Sequence, residues 1–151
     1  MTSRLLTEAI GYIELGMFQD AWDTLESISP EQRDLADVLK VRLEIYRGLG
    51  KYEGMEAVAS HLCRILPEEP QNWISCAYAQ RRHLGIEIAE KTLLEAVRRF
   101  PEEPTIHFNL ACYACQQGRL EEARGRLTEA IRLEPAFKQM ALEDEDLAPL
   151  W

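Results

Sequence analysis

The sequence predicts an all-α chain built from a repeated helix–turn–helix unit, and three observations carry that prediction. The tetrapeptide Pro67-Glu68-Glu69-Pro70 returns unchanged as Pro101-Glu102-Glu103-Pro104, and the step from Pro67 to Pro101 sets a period. Stepping by that same interval aligns Ala21, Met55, Ala89 and Ala123; Leu25, Ala59, Leu93 and Leu127; Ile28, Leu62, Ala96 and Ala130; and the bulky Phe18, Tyr52, Ile86 and Leu120. Within each period the apolar residues fall three and four apart, the spacing of one helix face, and no strand pattern intervenes.

The units run at about 2–35, 36–69, 70–103 and 104–137. The first keeps Ala9, Tyr12, Gly16, Phe18, Ala21 and Leu25 and closes early at Pro30. Its Ser29-Pro30-Glu31-Gln32 reads as a capping box with proline at the first helical position. The second keeps Tyr46, Gly50, Tyr52 and Pro67 but puts Leu43 and Met55 in slots for small residues, which predicts a wider spacing of its two helices. The third aligns Trp73, Cys76, Ala77, Gln80, Ala89, Leu93 and Pro101, with Leu84 in the turn-glycine slot and Gly85 one place late. The fourth aligns His107, Leu110, Ala111, Ala114, Ala123, Leu127 and Pro135, with Gly118 at its turn. Small alanines on both helices let backbones approach, glycine serves the turn, and proline stops the second helix. Residues 138–151 open as a short capping helix and continue as an acidic run, Glu143–Asp146, and an apolar tail, Leu147–Trp151. No equivalent cap precedes the first helix.

A helix–turn–helix unit of about 34 residues with these columns resembles the tetratricopeptide repeat (TPR), over roughly residues 2–137. The resemblance implies an α-α superhelix, a right-handed solenoid of about four units plus a C-terminal capping helix. It also implies that the first helices of successive units line a concave groove, and that the chain is a non-enzymatic scaffold or adaptor binding a partner's peptide or helix there.

Helix geometry selects the groove stripe. With Trp73, Cys76, Ala77 and Gln80 facing the core, Gln71, Ile74, Tyr78, Arg81 and Arg82 lie roughly 130° round. Transfer by whole periods adds Asp37, Lys40, Glu44, Arg47 and Gly48, then Thr105, Phe108, Cys112, Cys115 and Gln116 with Asn109 beside them, and Ser3, Leu6, Ile10, Ile13 and Glu14. The expected partner-binding surface is therefore Leu6, Ile10, Ile13, Lys40, Glu44, Arg47, Ile74, Tyr78, Arg81, Arg82, Phe108, Asn109 and Cys112. Aromatic residues and arginine are the types enriched at binding hot spots. The competing reading has Lys40, Glu44 and Arg47 pairing along their own helix and Tyr78 and Phe108 as partly buried core. TPR domains that clamp the acidic tails of heat-shock chaperones use lysine, asparagine and arginine at set positions. Lys40 and Asn109 are here, but Leu6, Ile10, Ile74, Tyr78 and Cys112 hold the others, so that clamp is not assembled.

Charge and composition narrow the function. Twenty-six acidic against 17 basic residues give a net charge of −9, which excludes a phosphate-backbone or anionic-membrane binder. At 46% hydrophobic the chain is not disordered, and no apolar run approaches the roughly 18 residues of a membrane span. The N-terminus lacks a signal-peptide core, and the cysteines at 63, 76, 112 and 115 read as reduced, buried thiols, which together predict a cytoplasmic protein. Cys112-Tyr113-Ala114-Cys115 lies mid-helix, away from any strand or second metal-ligand pair, and is read as packing. His107 stands in the slot that Trp73 occupies and is read as a packed histidine; Glu68-Glu69 and Glu102-Glu103 sit at helix starts. No catalytic residue, cofactor or metal ligand is expected. Two alternatives stand beside the bacterial-style adaptor. Small acidic TPR chaperones of secreted translocator proteins are similar in length and charge. Self-association is suggested by Leu5, Leu6, Ala9, Ile10, Tyr12 and Ile13, which make the first helix apolar over most of its circumference, or by the Leu147–Trp151 tail entering a neighbour's groove rather than folding back.

Overall fold

The computed structural model describes residues 1–151. Its α-helices are α1 (Thr2–Glu14), α2 (Phe18–Glu26), α3 (Ala36–Leu49), α4 (Tyr52–Ile65), α5 (Pro70–His83), α6 (Ile86–Arg99), α7 (Pro104–Gln116), α8 (Leu120–Leu133) and α9 (Phe137–Glu143). Two 3-10 segments, Pro30–Gln32 and Glu145–Leu150, complete the chain, and there is no strand. The helices form two bodies, Met1–His83 and Leu84–Trp151; the division falls between α5 and α6, inside the stretch expected as the third repeat.

In the N-terminal body α1 packs on α2 and α3, α2 on α3, α3 on α4 and α4 on α5. The repeat columns are its core: Ala9, Ala21, Leu25, Met55, Ala59 and Leu62 have no exposed surface. Helix α3 serves two clusters. Val38 and Ile45 join Ala9, Ala21 and Leu25, while Leu39 and Leu43 join Met55, Ala59, Leu62 and Cys76. The turn glycines Gly16, Gly50 and Gly118 take left-handed φ, and so does Gly85 at 112°, so the glycine one place late in the third repeat still makes its turn.

The expected capping box at Ser29 does not form. Pro30–Gln32 is a single 3-10 turn closed by the Gln32 amide donating to the Ser29 carbonyl at 2.9 Å, with no side-chain cap. The amide that the Ser29 hydroxyl would cap is Gln32's own, already spent on the Ser29 carbonyl in this 3-10 turn, and α3 starts only at Ala36. Arg33 supplies the capping instead: its Nε donates to the Ile28 carbonyl at 3.0 Å and Nη2 to the Glu26 carbonyl at 2.8 Å, satisfying the end of α2.

In the C-terminal body α7 packs on α6 and α8, with Ala89, Leu93, Ala96, Ala111, Ala123 and Ala130 fully buried. The Arg119 guanidinium ties α8 to α6 by pairing with Glu90. Helix α9 sets Phe137 against Phe108 with ring centroids 5.3 Å apart. The chain then turns at Asp144, whose carboxylate accepts the Asp146 amide at 2.9 Å, and lays the fully buried Leu147 against α7. The tail thus folds back on its own body.

Candidate protein-interaction surface

In the N-terminal body the expected residues come from α1, α3 and α5. Leu6 and Ile13 lean on the first core cluster, as do Leu5 and Tyr12, which leaves Ile10 as the exposed member at 43%. Most of the apolar circumference of α1 is therefore absorbed internally.

Between α3 and α5 the side chains interlock. Lys40 does not pair with Glu44; its ammonium sits 2.9 Å from the Glu69 carboxylate ahead of α5. Arg47 does pair along its own helix, Nε lying 3.3 Å from Glu44, but its Nη2 also donates to Ser75 Oγ on α5 at 3.3 Å. The same guanidinium lies 4.7 Å from the centre of the Tyr78 ring. Arg82 lies 3.5 Å from that ring centre and 5.6 Å from the centre of Tyr52, and the two tyrosines meet edge to face at 6.1 Å. Two guanidiniums pack on the one ring while Tyr78 stays half-exposed. Arg82, exposed, donates to the Tyr78 carbonyl at 3.5 Å and keeps further N–H donors toward solvent. A cavity of about 230 Å³ lies alongside, lined by Lys40, Glu44, Glu69, Gln71 and Ser75 with Leu43 and Leu62. Ile74 and Arg81 are half-buried on the same helix. The surface is thus less cationic than its residue list suggests, because Lys40 and Arg47 already have acidic partners. Gly48 lies elsewhere, where a Cβ would stand 2.2 Å from the Phe18 ring.

In the C-terminal body Phe108 and Cys112 are 5% and 4% exposed, covered by Phe137 and the Asp144–Leu150 segment, and Asn109 is half-buried. Gln116 Nε2 donates to the Asp146 carbonyl at 2.8 Å. Cys112 Sγ is 4.0 Å from Asp144 Oδ2, and with Asp146 these residues bring three ligand-type atoms within 4.8 Å of one another. Cys115 is buried as well, and burial first, then the Asp146 charge, pushes its thiol up against a smaller pull from Arg124. His107 is packed as expected: Nε2 lies 2.8 Å from the Pro101 carbonyl, so the proton sits on Nε2.

Sequence reasoning missed Glu69, Ser75 and Tyr52. Tyr52 was absorbed into the bulky packing column, and Ser75 and Glu69 lie off the stripe. Only the steric reach of Arg47 and Lys40 brings them in.

Paired helices, an alanine-rich column at each pair and proline-closed boundaries define a TPR-type helical repeat. Solved structures agree. The chain superimposes on MamA 41-end from Desulfovibrio magneticus RS-1 with a TM-score of 0.80 and 16% identity, covering 90% of this chain and 77% of that one. MamA MSR-1 C2 matches at 0.73 with 20% identity over 87% and 76%, and MamA AMB-1 C2221 at 0.71 with 22% identity over 86% and 76%. MamA is a TPR-repeat protein, and at these identities the likeness is one of fold. No family model and no curated protein sequence matches the chain.

Proposed function

We propose that the chain is a non-enzymatic protein-interaction scaffold that binds a segment of a partner protein along the α3–α5 face, with Tyr78, Arg82 and Arg47 at its centre and Ile10, Ile74 and Lys40 around them. The observation that carries this is the stack of two arginines on a half-exposed tyrosine. It is pre-ordered, so little side-chain entropy is lost on binding, and Arg82 keeps donors for a carboxylate or carbonyl. The histidines support a non-enzymatic reading, since each is engaged structurally: His107 with the Pro101 carbonyl, His83 with Glu56, His61 with Arg64. Four cysteines, none of them in a disulfide, support a reducing compartment such as a bacterial cytoplasm.

The test is affinity capture with the wild-type chain and the double variant Tyr78→Ala/Arg82→Glu, with circular dichroism to show that helix content is unchanged. Loss of a central aromatic–arginine pair typically removes about 2 kcal/mol or more, roughly thirtyfold in affinity, so the captured partner disappears or drops sharply. An identical captured set from both proteins places binding elsewhere.

A further inference from the structure

The C-terminal body displays a surface together with an occupant. Phe108, Cys112 and Gln116 on α7 stand one period after Ile74, Tyr78 and Arg82 and so form the same stripe in the next repeat. Two pieces of chain cover them. Phe137 of α9 packs on Phe108 and closes the end of the helix stack. The following segment, Asp144–Leu150, crosses onto α7 with Leu147 as the one buried side chain of its 3-10 turn and its Asp146 carbonyl held by Gln116. Beyond this contact the end of the tail leaves an apolar cavity of about 320 Å³ open between α8, α9 and Leu150–Trp151, and Trp151 at its rim is 63% exposed. A peptide-like turn that lays one buried leucine on α7, offers its Asp146 carbonyl to Gln116 and brings Asp144 Oδ2 to 4.0 Å from Cys112 Sγ presents the contacts of a bound ligand.

We propose that Asp144–Leu147 is a resident, displaceable ligand of the α7 stripe. The exchanging partner is an acidic segment of another protein with a leucine directly after its carboxylates, docked through the same contacts. The cis occupant defines that chemistry: an acid that starts the turn, a carbonyl for Gln116, and a leucine for the socket. This site is in the other body from the α3–α5 face and stands or falls separately from it.

The probe is a fluorescein-labelled peptide of residues 143–151, titrated into the full chain as wild type, Leu147→Asp and Asp144→Ala. Wild type binds weakly because its site is filled, and Leu147→Asp binds about tenfold tighter or more, because the competent fraction rises. Alkylation of Cys112 and Cys115 by iodoacetamide accelerates in step and slows again when peptide is added. Asp144→Ala, which removes the carboxylate that closes the resident turn on the Asp146 amide and leaves α7 untouched, shows the same two changes at about threefold and decides the matter if Leu147→Asp loses helix content. A peptide with aspartate in place of the leucine does not bind. Equal peptide affinity across the three proteins, or thiols equally shielded in all, overturns the proposal. A wild-type dimer that holds the segment in trans overturns it too, by assigning the stripe to a second copy.

Discussion

At position 107 a histidine performs the task of a tryptophan. Trp73 Nε1 donates to the Pro67 carbonyl at 3.1 Å, and His107 Nε2 meets the Pro101 carbonyl at 2.8 Å, so what repeats is a ring N–H aimed at the closing proline. The shared contact explains why the slot reads as packing rather than chemistry. Core residues follow ordinary cavity energetics: Leu93→Ala, at a fully buried site, is expected to cost about 2–5 kcal/mol in urea unfolding. The thiols give a pH prediction. Burial pushes Cys76 above the ordinary value of 9.0, the Ser60 hydrogen bond pulls it back in part, and the Glu56 charge adds to the rise; Cys115 is raised as well. A raised folded value means the native state holds its protons longer. This stabilising contribution is intact below about pH 9 and is lost as pH climbs through the folded values. Replacing both by alanine flattens that alkaline fall when urea midpoints are compared between roughly pH 8 and 11.

Among helices, two glycine substitutions of opposite sign test the packing. Gly125, inside α8, has open space around its missing Cβ, so Gly125→Ala stabilises by about 0.5–1 kcal/mol through helix propensity alone. Gly48, inside α3, would drive a Cβ to 2.2 Å from the Phe18 ring, and there Gly48→Ala destabilises by about 1–3 kcal/mol despite the same propensity gain. Thermal or urea unfolding of the two variants reads both signs. The helices themselves were legible because a 3.6-residue period summed over 14 residues is a strong signal, as in α6 and α8. The Ser29 cap was misread because a capping box and a lone 3-10 turn share a sequence, and Arg33's reach back to α2 is a tertiary choice. The stripe on α3 and α5 was legible as a face. Its pairing was not, because whether Lys40 meets Glu44 or Glu69 depends on where the loop before α5 lies.

Over the whole molecule, the repeat period was visible in the sequence, while the tail's position was not, since no residue in 144–151 has a counterpart in the earlier repeats. Part of the charge follows helix polarity. Glu53, Glu87, Glu121 and Glu122 occupy first turns, and Arg64, Arg81, Arg82, Arg98, Arg99 and Arg132 occupy last turns, each sign where the helix dipole favours it. With most of α1 absorbed by its own core and the tail docked in cis, light scattering is expected to return a concentration-independent mass near 17.4 kDa. A mass that rises with concentration would instead show self-association, with the exposed Leu15 and Met17 or the tail held in trans as its two candidate contacts.

The ring-to-proline bonds also say where such a chain should be cut. Both run from the first helix of one repeat to the end of the repeat before it, across the borders at 69/70 and 103/104. Anyone shortening the array, grafting a repeat onto it or permuting its ends at those sequence borders would sever a buried stitch. A cut made within a repeat, between its two helices, would leave both stitches whole, so the block that transplants cleanly is offset by one helix from the block that repeats.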